Sequence, residues 1–310
     1  MIFLILGGAG FIGSHIVDAL LVRGHKVRVF DRPNVDTRNL TETLSRIEVV
    51  GGDFLNESDI SSALEGIDVV VHLISTTLPK SSNENPAYDV ESNVIGTLTL
   101  LRLAVQHGVK KIIFLSSAGT VYGASAICPI SEVAETDPIC SYGITKLAIE
   151  KYLHLFSYLH GLDYVVLRAS NPFGARQNPN SGQGAVVAFL WRLLRDETIL
   201  IWGDGKVTRD YFYISDLVSA VLLAIERKTV SKIFNVGSGI PCNLNELLVT
   251  MQSVTGRAPK VQYTPARKLD VPINFLDISR GRSELLWEPT ISLEDGIART
   301  WEWVRQRRED

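Results

Sequence analysis

MIFLILGGAGFIG, residues 1–13, decides the fold class of this chain. The apolar run Ile2–Leu6 has the length and composition of a buried strand, and it stops at Gly7. Gly7, Gly10 and Gly13 then recur at regular spacing, and such small residues let a backbone approach the phosphates of a dinucleotide. A helical pattern follows directly, and a helix start offers free N–H groups and a partial positive charge. The stretch therefore predicts a strand, a phosphate-binding turn and a helix.

An acidic residue stands where such a site needs one. Asp31 ends the next apolar run, Val27–Phe30, close to the usual distance of about twenty residues beyond the glycines. A carboxylate there binds the hydroxyls of an adenosine ribose, and its charge repels a 2′-phosphate, so the pattern favours NAD over NADP. The alternative is a tight strand-to-helix turn that binds no ligand.

Composition and charge exclude several function classes. The chain has 310 residues, of which 45% are hydrophobic and 21% charged, and this is typical of a folded α/β protein of one or two domains. A net charge of −3 without a Lys/Arg block predicts neither a nucleic-acid partner nor a membrane surface. The apolar start is too short to span a bilayer. The three cysteines stand far apart, so we expect no metal site and a cytoplasmic protein with reduced thiols.

Apolar runs alternate with helical patterns through the first half of the chain. Further strands are predicted at Arg46–Val50, Asp68–Leu73, Lys111–Ser116 and Tyr164–Arg168, with helices near 57–65, 86–107 and 141–160. Repeated β-α-β units with nearly continuous apolar strands predict an α/β fold, a doubly wound parallel (Rossmann) sheet with helices on both faces. The carboxyl ends of the strands, and any ligand, then share one edge.

The composition changes after Arg168. Residues 171–184 are rich in Asn, Pro, Gly and Ser, which predicts a loop. Beyond it the patterns predict strands at Ile199–Trp202, Tyr211–Ile214 and Ile233–Val236, and helices near 184–195, 215–226, 243–255 and 293–307. We therefore expect a smaller C-terminal α/β lobe. Residues 1–170 and 207–239 would form the cofactor domain, and residues 171–206 and 240–310 the substrate lobe.

The stretch Tyr142-Gly143-Ile144-Thr145-Lys146 carries the second chemical signal. In a helix, Tyr142 and Lys146 lie one turn apart and share a face. A cation beside a phenol favours the phenolate and lowers a pKa that is ordinarily about 10. Such a phenol can act as general base or acid for a sugar hydroxyl. Taken alone, the pair also fits an exposed helical surface.

A cluster of hydroxyl side chains lies ahead of that helix. Ser116, Ser117 and Thr120 follow the apolar run Lys111–Leu115, at the end of a strand that opens onto the ligand edge. These hydroxyls are candidates to hydrogen-bond a substrate hydroxyl beside Tyr142. The alternative is that they satisfy local backbone groups of a turn.

Together these motifs resemble the extended short-chain dehydrogenase/reductase family, and within it the nucleotide-sugar 4-epimerases, over nearly the whole chain. The resemblance implies NAD as the cofactor and catalytic roles for Tyr142 and Lys146. It implies cofactor contacts from Gly7, Gly10, Phe11, Ile12, Gly13, Asp31, Arg32, Asp53, Phe54, Leu73, Ser75, Asn93, Ser116, Tyr142 and Lys146.

The same resemblance implies where a nucleotide sugar binds. The substrate-binding positions would be Asn171, Gln183, Leu200, Trp202, Arg209, Arg267 and Asp270. Leu200 and Trp202 would line the base pocket. Arg209 and Arg267 would hold the diphosphate, and the planar fork of an arginine suits phosphate oxygens.

The chain departs from the family pattern at Ala118, where the family usually has a catalytic Ser or Thr. Thr120 or Ser117 would have to relay the proton, or Tyr142 must act directly. Gly119 and Thr120 stand where dehydratases carry an Asp-Glu pair. Thr120 alone stands where sugar-acid decarboxylases carry a Glu. Dehydration and decarboxylation are therefore disfavoured.

The sequence thus predicts an NAD-dependent enzyme that inverts C4 of a nucleotide hexose, with UDP as the nucleotide, through a transient 4-keto sugar. A 4-ketoreductase that makes a deoxy-sugar nucleotide and a non-catalytic NAD-binding regulatory protein are the alternatives. By the resemblance, the helices near 86–107 and 141–160 would pair across a two-fold axis as a homodimer. Burial within one chain explains the same apolar pattern.

Overall fold

A computed structural model describes residues 1–124, 126–266 and 271–307. The strands in chain order are β1 (Ile2–Leu6), β2 (Lys26–Asp31), β3 (Glu48–Gly51), β4 (Val69–His72), β5 (Lys111–Ser117), β6 (Asp163–Ala169), β7 (Asn171–Phe173), β8 (Ile199–Trp202), β9 (Thr208–Tyr213), β10 (Ile233–Val236), β11 (Pro241–Asn243) and β12 (Val261–Thr264). The α-helices are α1 (Phe11–Val22), α2 (Glu57–Leu64), α3 (Pro86–Asp89), α4 (Gly96–Gln106), α5 (Ala118–Val121), α6 (Ser141–His160), α7 (Ala185–Leu194), α8 (Ile214–Glu226), α9 (Leu244–Thr255) and α10 (Leu293–Gln306).

In the described residues, seven parallel strands form the central sheet, in the order β10-β6-β5-β4-β1-β2-β3. The chain runs outward from β1 to β3 on one side and from β4 to β10 on the other. A crevice therefore forms beyond the carboxyl ends of β1 and β4, where the strand order reverses. The predicted doubly wound parallel sheet is confirmed.

Helices cover both faces of this sheet. Within β1, Phe3 and Ile5 belong to an apolar cluster that includes residues of α1 and α8, whereas Leu4 and Leu6 belong to a second cluster with residues of α2, α4 and α6. All four side chains are fully buried. Burial on both faces explains why the strands are apolar at nearly every position.

Two small sheets stand apart from the central one. β9 pairs with β7 in parallel and with β11 in antiparallel orientation, and β8 pairs with β12 in parallel. The prediction of a loop over residues 171–184 is therefore wrong at its start, because residues 171–173 form β7 by pairing with β9, which is distant in the chain. β9 lies in the segment 207–239 that we assign to the cofactor domain, and that division into domains stays a prediction.

The helix predicted over residues 86–107 is divided. α3 passes into a π-helical segment, Val90–Ile95, before α4 begins at Gly96. π-Helical segments are rare and are common near functional sites, and apolar periodicity does not reveal them. The prediction for residues 141–160 matches α6. Within the described part of the chain, none of the helices is long and apolar enough to cross a membrane.

Candidate active site

The turn between β1 and α1 is built for close approach of a ligand. Gly7 has φ +81° and donates its N–H to the Phe30 carbonyl at 2.9 Å. A Cβ on Gly13 would lie 2.4 Å from the Gly7 carbonyl oxygen, so only glycine fits there. No side chain caps the start of α1 at Gly10. The first-turn N–H groups and the positive end of the helix dipole thus suit a pyrophosphate.

Asp31 lies beside this turn, at the end of β2. Its carboxylate accepts the Ala9 N–H at 3.3 Å and the Arg32 N–H at 2.9 Å. The carboxylate is half-buried and the Arg32 side chain is exposed. This placement next to the glycine turn fits a ribose whose pyrophosphate sits on α1.

Two predicted cofactor residues follow β3. Asp53 is exposed and accepts the Leu55 N–H at 2.9 Å. Phe54 is buried, and its ring centre lies 5.3 Å from that of His72. The ring also fills the space beside Gly96, where a Cβ would come within 2.7 Å of it. The Phe54 side chain is thus part of the core.

Asn93, in the π-helical segment, anchors the loop that follows β4. Its Oδ1 accepts the Thr76 N–H at 3.1 Å, and its Nδ2 donates to Thr76 Oγ1 at 2.9 Å and to the Asp89 carbonyl at 3.0 Å. This loop carries Leu73 and Ser75 at the crevice edge of the sheet. The Asn93 amide therefore fixes the loop, and its direct contact with a cofactor stays a prediction.

Tyr142 and Lys146 share one face of α6, as the sequence predicts. The Lys146 Nζ lies 5.6 Å from the centre of the Tyr142 ring and donates to the Leu115 carbonyl at 3.1 Å. Lys146 is 5% exposed, and burial lowers its pKa to about 8 against the opposing charges of Asp89 and Glu150. α6 packs tightly here, because a Cβ on Gly143 would lie 2.7 Å from the Thr120 carbonyl.

The expected lowering of the Tyr142 pKa is wrong for this structure. Burial raises the pKa of Tyr142 to about 12, and the neighbouring Ser75 hydroxyl opposes that shift through a hydrogen bond. The desolvation of the phenolate is the larger effect. The Lys146 ammonium is engaged by the Leu115 carbonyl and does not offset this cost.

The hydroxyl cluster divides between the core and the crevice. Ser116 donates to Glu150 Oε1 at 2.5 Å, and Glu150 pairs with the buried guanidinium of Arg168 at 2.6 Å. The Ser116 hydroxyl thus serves the core, and its cofactor contact stays a prediction. Ser117 and Thr120 are half-buried, and the Thr120 hydroxyl reaches the Ser117 carbonyl at 3.4 Å.

The predicted substrate residues come from the two small sheets and their loops. Along β8, Ile199 and Ile201 are buried, whereas Leu200 and Trp202 are 38% and 42% exposed and share the outer face. Gln183 is exposed ahead of α7. Leu200 and Trp202 thus form a partly exposed apolar face on β8.

The diphosphate candidates meet at β9. The Arg209 Nη1 donates to the Val271 carbonyl at 2.7 Å and to the Thr208 carbonyl at 2.9 Å, while Asn171 donates to the Asp210 carbonyl at 3.1 Å. Arg267 and Asp270 lie outside the described residues.

The sequence analysis gave no role to the buried carboxylates Asp89 and Asp210. Asp210 accepts the Ser238 N–H and hydroxyl, both at 2.6 Å, and the Gly239 N–H at 3.1 Å, so it fixes the loop after β10 behind Arg209. Asp89 accepts hydrogen bonds beneath α6. For Asp89, a single acid in an apolar helical pattern, the sequence gives no sign of such partners. The residues that the structure describes contain no group of three or more His, Cys, Asp or Glu arranged to hold a metal ion.

Comparison with known proteins decides the family. Residues 3–237 match the model of the NAD dependent epimerase/dehydratase family. The chain belongs to this family. A putative UDP-glucose 4-epimerase of Methanocaldococcus jannaschii is 35% identical over 97% of this chain and 98% of the relative. NAD is the cofactor of this family. The glycine turn, the start of α1 and Asp31 fit it.

Solved structures of family members match over their full length. The crystal structure of UDP-glucose 4-epimerase from Thermotoga maritima with UDP-glucose is 38% identical, with a TM-score of 0.95 over 99% of this chain and 100% of that one. The Thermus thermophilus UDP-glucose 4-epimerase complex with NAD is 32% identical, with a TM-score of 0.90 over 98% and 99% of the two chains.

Other family members of similar identity have other activities. The dTDP-4-dehydro-6-deoxyglucose reductase of Escherichia coli is 33% identical over 97% of both chains. This chain is thus an NAD-dependent nucleotide-sugar enzyme, and membership alone does not choose the reaction.

Proposed function

We propose that this protein inverts C4 of a UDP-hexose. The observation that carries the proposal is the Tyr142–Lys146 pair, one turn apart on α6 at the crevice edge of the sheet. A phenol and an ammonium in this arrangement suit proton transfer to and from a sugar hydroxyl. Relatives named UDP-glucose 4-epimerase support the same reaction.

NAD would lie across the crevice between β1 and β4. The turn Gly7–Gly13 and the start of α1 would hold its pyrophosphate, and Asp31 would accept its ribose hydroxyls. When bound, NAD supplies reversible hydride chemistry at the sugar C4. Lys146, whose Nζ keeps N–H groups beyond the one given to Leu115, would bind the nicotinamide ribose.

Tyr142 would act on the sugar oxygen. Its phenolate takes the proton of the 4-hydroxyl while the C4–H bond breaks, and the C–O bond becomes a carbonyl. The same phenol returns the proton when hydrogen is delivered to the opposite face of the turned 4-keto sugar.

The UDP group would bind on the side of the small sheets. Leu200 and Trp202 would contact the uracil ring with their partly exposed apolar face, and the planar guanidinium of Arg209 suits the diphosphate by its charge and shape. Asn171 and Gln183 would complete this side. Arg267 and Asp270 are proposed for the nucleotide by resemblance.

A 4-ketoreductase is the second candidate. Ala118 removes the hydroxyl that nucleotide-sugar epimerases usually carry there, and a reductase is among the relatives of similar identity. Such an enzyme would consume one NADH or NADPH in each turnover. An epimerase returns its hydride and consumes none.

Proton NMR of the purified protein with a panel of UDP-sugars and no added nicotinamide distinguishes these reactions. We expect catalytic interconversion of one 4-epimer pair, for example UDP-glucose and UDP-galactose, from NAD that stays bound. Stoichiometric NADH oxidation on a 4-keto-6-deoxy sugar nucleotide, without epimerisation, would replace the proposal with the reductase. Inactivity in both assays contradicts both reactions for the sugars tested.

We also propose a homodimer through α4 and α6. A surface groove between them is lined by apolar side chains that include Ile95, Leu98 and Phe156. Ile95 is 49% exposed and Tyr158 82% exposed. Light scattering should give twice the mass of one chain, and Ile95→Glu should halve it. Val22→Glu, at a residue 84% exposed on α1, is the matched control.

A further inference from the structure

Asp89 is a buried carboxylate at the end of α3, fully enclosed by polar donors from three segments. Its Oδ1 accepts the Thr77 hydroxyl and the Asn93 amide, the latter at 3.0 Å. Its Oδ2 accepts the Ser141 hydroxyl at 2.7 Å and the Thr145 hydroxyl at 3.3 Å. Hydrogen bonds of this number are what a buried charge requires.

The two oxygens serve the two structures that flank the Tyr142 phenol. Oδ1 holds the loop after β4, and that loop carries Ser75, whose hydroxyl opposes the raised pKa of Tyr142. Oδ2 holds Ser141 and Thr145, which lie before and after Tyr142 on α6. One carboxylate therefore spans the gap between the phenol and the hydroxyl beside it.

The turn just before α3 caps the start of α6. The first N–H groups of the helix, those of Ser141 and Tyr142, donate to Asn83 Oδ1 at 2.9 Å and to Ser82 Oγ at 3.0 Å. These acceptors belong to the turn just before α3. The start of α6 is thus fixed from outside the helix, by Ser82 and Asn83 as well as by Asp89.

The negative charge of Asp89 also acts on the Lys146 ammonium. It is the first of two carboxylates that oppose the desolvation of Lys146, and Glu150, one turn further along α6, is the second. In the described part of the chain, the other titratable groups that act on Lys146 or lie beside it are Tyr142 on its own helix and His72 at the end of β4. His72 is neutral near pH 7, because burial lowers its pKa to about 3.

We propose that Asp89 is a positioning residue for the Tyr142–Lys146 pair: its carboxylate ties the loop after β4 to the first turn of α6 and supplies negative charge to the Lys146 ammonium. The role rests on the proposed catalytic function of that pair. It reaches beyond that function by assigning the geometry and the charge of the pair to a residue that touches neither substrate nor cofactor.

The charge is tested by NMR without any substrate. Lysine labelled with ¹³C at Cε reports the protonation of Lys146, and the resonance is assigned by its loss in Lys146→Met. In Asp89→Asn the titration midpoint of Lys146 should move toward acid by about one pH unit, since a nearby negative charge has been removed. Glu91→Gln, which neutralises an exposed carboxylate two residues away, should leave it in place. An unmoved midpoint in folded Asp89→Asn overturns the proposal.

The positioning is tested by kinetics. Ser141→Ala removes one donor to Oδ2 and keeps the charge, so kcat should fall about fivefold while the Lys146 midpoint stays. This variant also serves if Asp89→Asn does not fold, and an unchanged kcat then contradicts the role. If Asp89 and Ser141 only stabilised the fold, their substitution would lower the melting temperature and would change neither kcat nor the titration midpoint of Lys146. If the protein turns over no nucleotide sugar, the proposed function fails, and the Lys146 titration still decides the role of Asp89.

Discussion

The Lys146 ammonium donates a hydrogen bond to the Leu115 carbonyl at 3.1 Å and so joins α6 to the end of β5. The hydrogen bond places Lys146 at the crevice edge of the central sheet, where cofactors bind in folds of this class. The position of the Tyr142 ring is set by the same helix, because Tyr142 lies one turn before Lys146 on α6. The Lys146 member of the proposed catalytic pair is thus held by a strand, which is more rigid than the loops on either side.

Replacement of the phenol tests the catalytic assignment. Tyr142→Phe should lower kcat by about 10³-fold, because it removes the general base and acid, and should leave NAD and UDP bound. Steady-state epimerisation and tryptophan fluorescence titration with UDP measure the two effects. Tyr158→Phe, at a residue 82% exposed on the same helix, is the matched control. Full activity in Tyr142→Phe would remove Tyr142 from the mechanism.

Burial of Lys146 predicts how stability depends on pH. The pKa of Lys146 is about 8 in the folded protein, below its ordinary value of about 10.4 in an unfolded chain. The folded state releases this proton first, so the cost of burying the charge is present below pH 8 and is lost as the pH rises toward about 10.4. Relative to Lys146→Met, the wild type should therefore gain up to roughly 3 kcal/mol across that range.

Urea unfolding at pH 7 and at alkaline pH, in the absence of nucleotide, measures this gain. Lys151→Met removes an exposed lysine from the same helix and should show no such dependence. A constant difference between wild type and Lys146→Met would mean that Lys146 is not desolvated.

The glycine turn separates folding from cofactor binding. In Gly13→Ala the new Cβ would meet the Gly7 carbonyl oxygen at 2.4 Å, and we expect a loss of about 1–3 kcal/mol in the free energy of unfolding. In Gly10→Ala the nearest atom, the Gly7 carbonyl oxygen, is 3.3 Å away, so the turn must shift by only a few tenths of an ångström and the cost should be smaller than in Gly13→Ala. The methyl group would still occupy the space of the pyrophosphate, and NAD affinity should fall at least about tenfold.

Thermal unfolding and calorimetric NAD titration distinguish the two variants. The reverse pattern, with Gly10→Ala unstable and Gly13→Ala unaffected, would contradict the assigned geometry of the turn.

Because Ala118 carries no hydroxyl, the hydroxyls of Ser75, Thr120 and Ser117 are the candidates to assist Tyr142, and Ser75 opposes the raised pKa of that phenol. Ser75→Ala removes the hydrogen bond that opposes the raised pKa of Tyr142, so that pKa should rise further and kcat at neutral pH should fall on the order of tenfold. Thr120→Val and Ser117→Ala test the two hydroxyls that the sequence favours. Ser58→Ala, at an exposed serine of α2, controls for the loss of a hydroxyl. A large loss in Thr120→Val with none in Ser75→Ala would return the relay to Thr120.

Much of the fold was predictable because its signals are local. Buried parallel strands are apolar throughout, so β1, β5 and β6 stand out in the sequence, and α6 follows from its regular period. β7, β11 and β12 were not predictable, since short strands gain their stability from partners distant in the chain.

The sequence by itself determined the chemistry on offer: the glycine turn with Asp31, the Tyr142–Lys146 spacing and the family that these motifs resemble. Such features are patterns within a few residues. Only the tertiary structure decided what surrounds them. It desolvated the Tyr142 phenol and so raised its pKa, engaged Ser116 in the core, and enclosed Asp89 with donors from three segments. Desolvation and charge depend on neighbours brought together by folding, and a linear pattern does not contain them.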